Sequence, residues 1–472
     1  MILAYFREGG EKGEDKIIPK FAAEKYEEKT HRHYLALALP LIIATISTPL
    51  LGAVDTAVVG YLEAPHYLGG VAVAALIFNT MYWVLGFLRV STSGFTAQAE
   101  GRRNERELQL LLIRPSMIAI AAGLIFVLFQ VPIREAAMIL INPTAAVRAE
   151  AEAYFLFRIW GAPFALLQFV FLGWLIGKAR VNAVLVLQFG CNLLNIVLDF
   201  IFVFSFHMGA AGVGLATLLA EFIGVVIAAW YIFHNTSFRF SSTHWKEVLE
   251  KDPFLHLIKV NRDLFIRTLC LLAVFGIFVS MGTSYGEVIL AANAVLLQIH
   301  FMMAYVFDGL ANASSILSGK AVGKKDKYLF TRTMKLGALW SFAAAAVWML
   351  IMIFGGHVII GLFTSIASVQ ETALNYSIWI VFFPLTGFWG LQLYGIFTGA
   401  TCTTSIRNSM IVSLLVFLGA LYFWGGDNQG LWLAFTLFSL ARSLVLWMYV
   451  PTLIHHTFPT YIRTDRQAII KN

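Results

Sequence analysis

Residues 88–104, LRVSTSGFTAQAEGRRN, and residues 310–326, LANASSILSGKAVGKKD, stand 222 positions apart and follow one plan. Each is a stretch rich in small residues that closes on a glycine and two basic side chains. At the same offset Tyr154 falls on Tyr376, Gly173 on Gly395 and Gly177 on Gly399, while Pro163 meets Pro384 one residue out of step. A period of about half the chain is the mark of an internal duplication, which membrane transport folds often retain. Composition says where the duplicated unit resides. Of the 472 residues 59% are apolar and only 13% charged, against about 45–50% and about 25% in soluble domains. That is too little charge to coat a globule, so most of the surface faces lipid.

Working outward from the repeat, apolar runs broken by charge or by Gly, Pro and Asn give spans at 34–61, 67–95, 113–131, 151–177, 181–205 and 211–233, then 264–285, 287–318, 334–354, 372–399, 408–425 and 430–454. The ten-residue alternation of barrel strands is not seen, and lipid admits only helices or closed barrels. The expectation is an all-α polytopic membrane protein with twelve transmembrane helices in two six-helix lobes. An even number of spans per repeat sets both lobes in the same sense, related by a pseudo-two-fold axis along the membrane normal. The expected divisions are a charged tail at 1–33, lobes at 34–233 and 264–454, an inter-lobe linker at 234–263 and a C-terminal tail at 455–472. The first 30 residues have no apolar core, so they do not read as a cleavable signal peptide. Lys and Arg gather on alternate connections, from Arg102, Arg103 and Arg106 through Lys178 and Arg180 to residues 239–262, 320–332 and Arg407, while the opposite set holds essentially Arg134 and Arg148. That bias places both termini in the cytoplasm. It also accounts for the net charge of +7 without nucleic acid.

An ionised carboxylate in hydrocarbon costs at least about 2.5–3.5 kcal/mol, so intramembrane acids mark function by default. Asp55, in LLGAVDTAVVG, and Asp199, in CNLLNIVLDFIF, are the clearest examples. Tyr154 in span 4 and Thr217 in span 6 come to a similar depth, so the four residues can share one pocket in the outer half of the first lobe. Asn192, Asn195 and Asp199 line one face of span 5 at i, i+3 and i+7. At the 222 offset Asp55 becomes Ile277, Asn195 becomes Phe417 and Asp199 becomes Leu421, so the second lobe lacks the cluster. Pro40 and Pro49 each delete a backbone hydrogen bond in span 1 and invite a kink. Glu221 and Asp308 are secondary candidates, and local pairing or snorkelling is expected of Arg89, Arg158 and Arg442. The three cysteines, Cys191, Cys270 and Cys402, lie far apart and suggest neither a disulfide framework nor a metal site. No Walker A pattern, His cluster or Ser/His pair occurs, which speaks against an ATP-driven pump or a membrane enzyme, and no cofactor is implied.

The stretches LALALPLIIATISTPLLGAVDTAVVG (35–60), TAQAEGRRN, SGKAVGKKD and CNLLNIVLDFIFVF (191–204) resemble the multidrug and toxic compound extrusion (MATE) family, and the first-lobe aspartates resemble its DinF branch. The resemblance covers residues 33–455. It implies a cation-coupled antiporter of the bacterial inner membrane that exports small amphipathic, often cationic molecules by alternating access. It further implies a hydrogen-bonded pocket of Asp55, Asn195, Asp199, Tyr154 and Thr217, with Pro40 as the span 1 kink. Leu51 stands where the family pattern has a tyrosine, and Gln168 is the nearest residue to a second span 4 asparagine. In low dielectric the two aspartates repel as ions, which favours taking up a proton. Protonation is expected to release a cationic cargo and to rewire hydrogen bonds near Pro40. Sodium competes as the coupling ion, because Asp55, Asp199, Asn195 and Thr217 offer hard oxygen ligands. A flippase for lipid-linked precursors is a further reading, which calls for a strongly basic cavity where these candidates are mainly acidic and amide. A monomer in contact with membrane lipid is the expected state.

Overall fold

The structure, a computed structural model, describes residues 20–60, 64–236 and 245–459. Most of the expected charged leader, part of the expected linker (237–244) and most of the expected C-terminal tail (460–472) lie outside them. In chain order the helices are α1 Lys20–Gly60, α2 Pro65–Leu85, α3 Phe87–Arg102, α4 Glu105–Leu128, α5 Gln130–Ile141, α6 Ala145–Arg158, α7 Ala162–Gly177, α8 Val181–Phe200 and α9 Gly209–Asn235. They continue with α10 Trp245–Val248, α11 Lys251–Ser284, α12 Glu287–Lys324, α13 Lys327–Phe363, α14 Ala367–Gly399, α15 Thr403–Trp424, α16 Asn428–Met448 and α17 Val450–Thr457. Among the described residues there is no strand. Among the described residues eleven stretches are long and apolar enough to cross a membrane, and α1, with Pro40 and Pro49 inside it, carries the first expected span. Backbone polar groups in hydrocarbon must be satisfied within the segment, which is why these runs become helices rather than anything else.

The 222-residue repeat is visible in backbone detail. Arg103 (φ 55°) and Lys325 (φ 56°) end α3 and α12 in the left-handed region, and so do Ala179 (φ 60°) and Thr401 (φ 55°) after α7 and α14. Asn104 Oδ1 then accepts from the Glu107 amide at 3.0 Å, and Asp326 Oδ1 from the Leu329 amide at 2.8 Å. Both restart the chain as a helix N-cap. Glycines set the close packing within each lobe. A Cβ on Gly173 would collide with the Arg89 carbonyl and one on Gly395 with the Ala311 carbonyl, while Gly177 rests on Ser93 and Thr96 as Gly399 rests on Ser315 and Ser318. Every member of these pairs is 222 residues from its counterpart. Small residues at helix contacts let backbones approach where lipid offers no hydrophobic drive to association.

The lobes meet along α3 and α12 at their basic ends. Gly101 faces the Lys320 backbone and Gly323 faces the Gln98 backbone, again exchanged by the repeat, and neither has room for a Cβ. Gln98 Nε2 donates across the same seam to the Gly399 carbonyl at 2.9 Å and to Thr401 Oγ1 at 3.1 Å. Leucine at either glycine is expected to hold the basic ends apart. Spin labels at positions 103 and 325 should then give longer electron–electron distances for Gly101→Leu and Gly323→Leu than for wild type. Gly190→Ala, at a position with open space around it, should leave them unchanged. An unaltered distance in both leucine variants would show that the seam is not glycine-limited.

Candidate functional site

The first lobe assembles its polar core from α1, α6, α8 and α9, which pack pairwise. Asp199, near the end of α8, is fully buried, and neither carboxylate oxygen finds a donor among the described residues. The carboxyl group of half-buried Asp55, on α1, lies within hydrogen-bonding reach of it. Two carboxylates have only acceptor oxygens, so this contact is a hydrogen bond only when one of them carries a proton. Directly after Asp199 the backbone widens into a π-helical turn, Ile201–Ser205, a distortion frequent at functional positions.

Asn195, one turn before Asp199 and 1% exposed, links the pair to α9. With its amide oriented to suit its surroundings, Nδ2 donates to Asp55 Oδ1 at 3.2 Å and Oδ1 accepts from the Thr217 amide at 3.1 Å. The opposite orientation donates from Nδ2 to Thr217 Oγ1 at 3.2 Å and turns the amide oxygen to Asp55, which suits a protonated Asp55. Thr217 itself donates to the Val213 carbonyl at 2.9 Å. Buried Tyr154 of α6 stands within hydrogen-bonding reach of Thr217, and its backbone presses on Gly214 of α9, where a Cβ has no room. Asp55, Asp199, Asn195, Tyr154 and Thr217 are thus brought together.

Other candidates are placed elsewhere. Asn192 Nδ2 donates to Ser47 on α1, at 3.1 Å to Oγ and 3.3 Å to the carbonyl, so it ties α8 to α1 beside the pocket. Gln168 Nε2 contacts Cys191 Sγ at 3.4 Å, and Cys191 in turn donates to the Ala220 carbonyl; that contact is separate from the aspartates. Asp308 lies on α12, paired across the lobes with Arg89 at 3.4 Å and bonded to Asn312 Nδ2 at 3.0 Å. Pro40 and Pro49 remain inside α1. Pro49 falls between two attachments of that helix: Thr45 Oγ1 donates to the Tyr305 carbonyl of α12 at 3.1 Å, whereas Asp55 belongs to the first-lobe pocket. In the second lobe Phe417 is fully buried, with Phe438 at 6.4 Å, and Ile277 and Leu421 join the apolar core. No carboxyl pair is repeated there.

One pairing was not legible as a unit. Arg158, 8% exposed, reaches Glu221 at 2.9 Å, and its guanidinium lies 5.5 Å from the ring centres of Phe78 and Tyr82. Gly161 leaves the room that Glu221 Oε2 occupies. Arg158 is close enough to act electrostatically on both aspartates, although its charge is matched by Glu221. A signal existed in the sequence, since Arg158 follows Tyr154, and Glu221 follows Thr217, by one helical turn on the same faces.

Comparison with known proteins decides the family. The sequence model of the MatE family matches the chain twice, at residues 40–201 and 264–422. The chain belongs to the MatE family. It is therefore a multi-pass membrane transporter, and members of this family are transporters rather than enzymes. It is similar to DNA damage-inducible protein F of Escherichia coli K12, with 38% identity covering 87% of this chain and 90% of the relative. It is also similar to a probable multidrug resistance protein NorM of Acinetobacter baylyi, at 20% identity over 85% of this chain and 88% of that one. In three dimensions it matches a MATE multidrug resistance transporter solved in an outward-facing conformation, with a TM-score of 0.82 at 17% identity, covering 90% of this chain and 96% of the other. That match supports the two-lobed twelve-helix fold of this MatE member. The two family matches fall on the two halves of the 222-residue repeat.

Removing one partner of a buried ion pair strands the other, at a cost of about 3–5 kcal/mol. Arg158→Gln and Glu221→Gln are each expected to lower the thermal unfolding midpoint of the detergent-solubilised transporter sharply. The double variant should recover most of the loss. A double variant as unstable as the sum of the singles would remove the pair from this role.

Proposed function

We propose that this transporter is a proton-coupled multidrug exporter of the bacterial inner membrane, with its basic loops and both termini in the cytoplasm. Lobes 34–233 and 264–454 are taken to rock about the linker 234–263, opening the space between them to each side in turn. The cargo would be small amphipathic, often cationic molecules; the relatives and the matched structure are named for multidrug resistance or multidrug export.

The observation that carries the proton reading is the contact between Asp55 and Asp199 with no donor to either oxygen of Asp199 among the described residues. One proton satisfies that contact, and its loss leaves two anions side by side in a low-dielectric interior, where each repels the other. Deprotonation therefore favours separation of α1 from α8 at this point, and the Asn195 amide turns to donate to ionised Asp55. Helix α1 can convert this local change into motion. Its earlier half is fixed to α12 through Tyr34, which donates to the Leu310 carbonyl at 3.0 Å, and through Thr45. Its later half belongs to the first-lobe pocket. Pro49 lies between the two attachments and frees the Thr45 carbonyl from its helical partner, which softens the helix there. The states with and without the proton would then favour different angles between the lobes. Sodium coupling uses the same oxygens and is the outcome that overturns the proton reading.

The test is ethidium transport in proteoliposomes under a pH gradient or a sodium gradient imposed separately. A pH gradient alone should drive transport, at about 1.4 kcal/mol per pH unit per proton, and Asp55→Asn and Asp199→Asn should each abolish that dependence. Transport driven only by sodium, or full pH-driven transport in both variants, would refute the assignment.

A further inference from the structure

Two guanidinium groups in the second lobe have no part in this coupling. Arg442 projects from α16 into the lobe, 8% exposed, and its Nε is buried without a hydrogen-bond partner among the described residues. A Cβ on Gly390 of α14 would stand 3.3 Å from that nitrogen, so the glycine makes room for the side chain. Arg267 of α11 holds its guanidinium carbon 4.3 Å from the ring centre of Tyr394 on α14. Both Arg267 and Tyr394 are near enough to Arg442 to act on it electrostatically. Among the described residues neither arginine forms an ion pair with a carboxylate. The acids of the adjoining helices are committed elsewhere, Asp263 to Arg407 at 2.9 Å and Arg262 at 3.1 Å, and Asp308 to Arg89 at 3.4 Å.

The first lobe shows the contrast, since its buried Arg158 has Glu221. Two neighbouring cations in a lipid-embedded lobe repel each other, and a buried charge without a counter-charge costs several kcal/mol. Snorkelling to the interface does not answer for Arg442, because it is buried within the lobe. Besides Tyr394 at Arg267, the guanidinium carbon of Arg442 lies 6.0 Å from the ring centre of Phe438, and half-buried Phe265, two residues before Arg267, has its ring 6.3 Å from that of Phe87 of the first lobe. A fork of guanidinium donors beside aromatic surface at the boundary of the lobes matches a molecule with an anionic head and an apolar body.

We propose that Arg267 and Arg442, with Tyr394, form an anion-binding site for an amphipathic carboxylate or phosphate. The site is positioned to take such a group from cargo entering between the lobes or from a lipid headgroup at their margin. It rests on the export reading only for the idea that the occupant is cargo. Binding is read without any ion gradient, so failure of coupled export leaves this result standing, and failure here leaves proton coupling untouched.

The experiment uses the full-length transporter in phosphatidylcholine nanodiscs, titrated with the fluorescent acid 11-(dansylamino)undecanoic acid and with its methyl ester. The acid should bind at least about tenfold more tightly than the ester, a factor set by a charge-assisted hydrogen bond of the usual strength. Arg442→Gln should erase that difference and Arg442→Lys should keep part of it. Should Arg442→Gln fail to fold, Arg267→Gln, at a half-buried position, carries the same expectation. Displacement of the acid by added phosphatidylglycerol supports the site with a lipid headgroup as its natural occupant. Absence of displacement supports it with a free amphipathic anion. Equal affinity for acid and ester, or discrimination that survives both glutamine variants, overturns the proposal.

Discussion

A carboxyl group without a donor among the described residues, held against a second carboxyl inside a lipid-embedded bundle, is the constraint around which the first lobe is arranged. Water would dissolve that conflict, and hydrocarbon does not. The fold holds the two groups together by gripping each from a different helix. Asp199 is locked by the packing of α8, while Asp55 comes in on α1 and is caught by Asn195, which Thr217 holds in turn. Arg158 and Glu221 add a compensated pair at the edge of the same network. Among the described residues no donor satisfies Asp199, which is what the proposed proton would do.

The pocket matters to the whole molecule because α1 belongs to both lobes. Its Thr45 contact with α12 comes before Pro49 and its Asp55 contact with Asn195 of α8 comes after it, so the helix has a weakened point between these two attachments. Opposite this sensitive element stands a stiff one. Glycines in α3, α7, α12 and α14 bring backbones into direct contact, both within each lobe and across the seam between them. Close-packed backbone resists gradual deformation, which suits each lobe to the rigid-body rocking proposed above.

The repeat and the site stand in tension, and that explains their division of labour. Packing glycines, left-handed helix ends and N-caps recur at the 222-residue offset because both lobes must solve the same packing problem. The carboxyl pair does not recur, since the second lobe fills those positions with Ile277, Phe417 and Leu421. Among the described residues its Arg267 and Arg442 have no carboxylate partner, where buried Arg158 of the first lobe has Glu221.

By itself the sequence determined the solvent, the number of crossings and the duplication, because hydrocarbon imposes length and apolarity on every spanning segment and repeats leave matching glycines. It also singled out Asp55, Asn195 and Asp199, since acids and amides are expensive in lipid wherever they point. Partners were a different matter. That Asp308 answers Arg89, that Gln168 turns to Cys191, that Glu221 neutralises Arg158 and that no carboxylate among the described residues pairs with Arg442 all depend on how helices rotate against one another. Spacing along a chain fixes which face a residue occupies, while the neighbour facing it is chosen only when the helices pack.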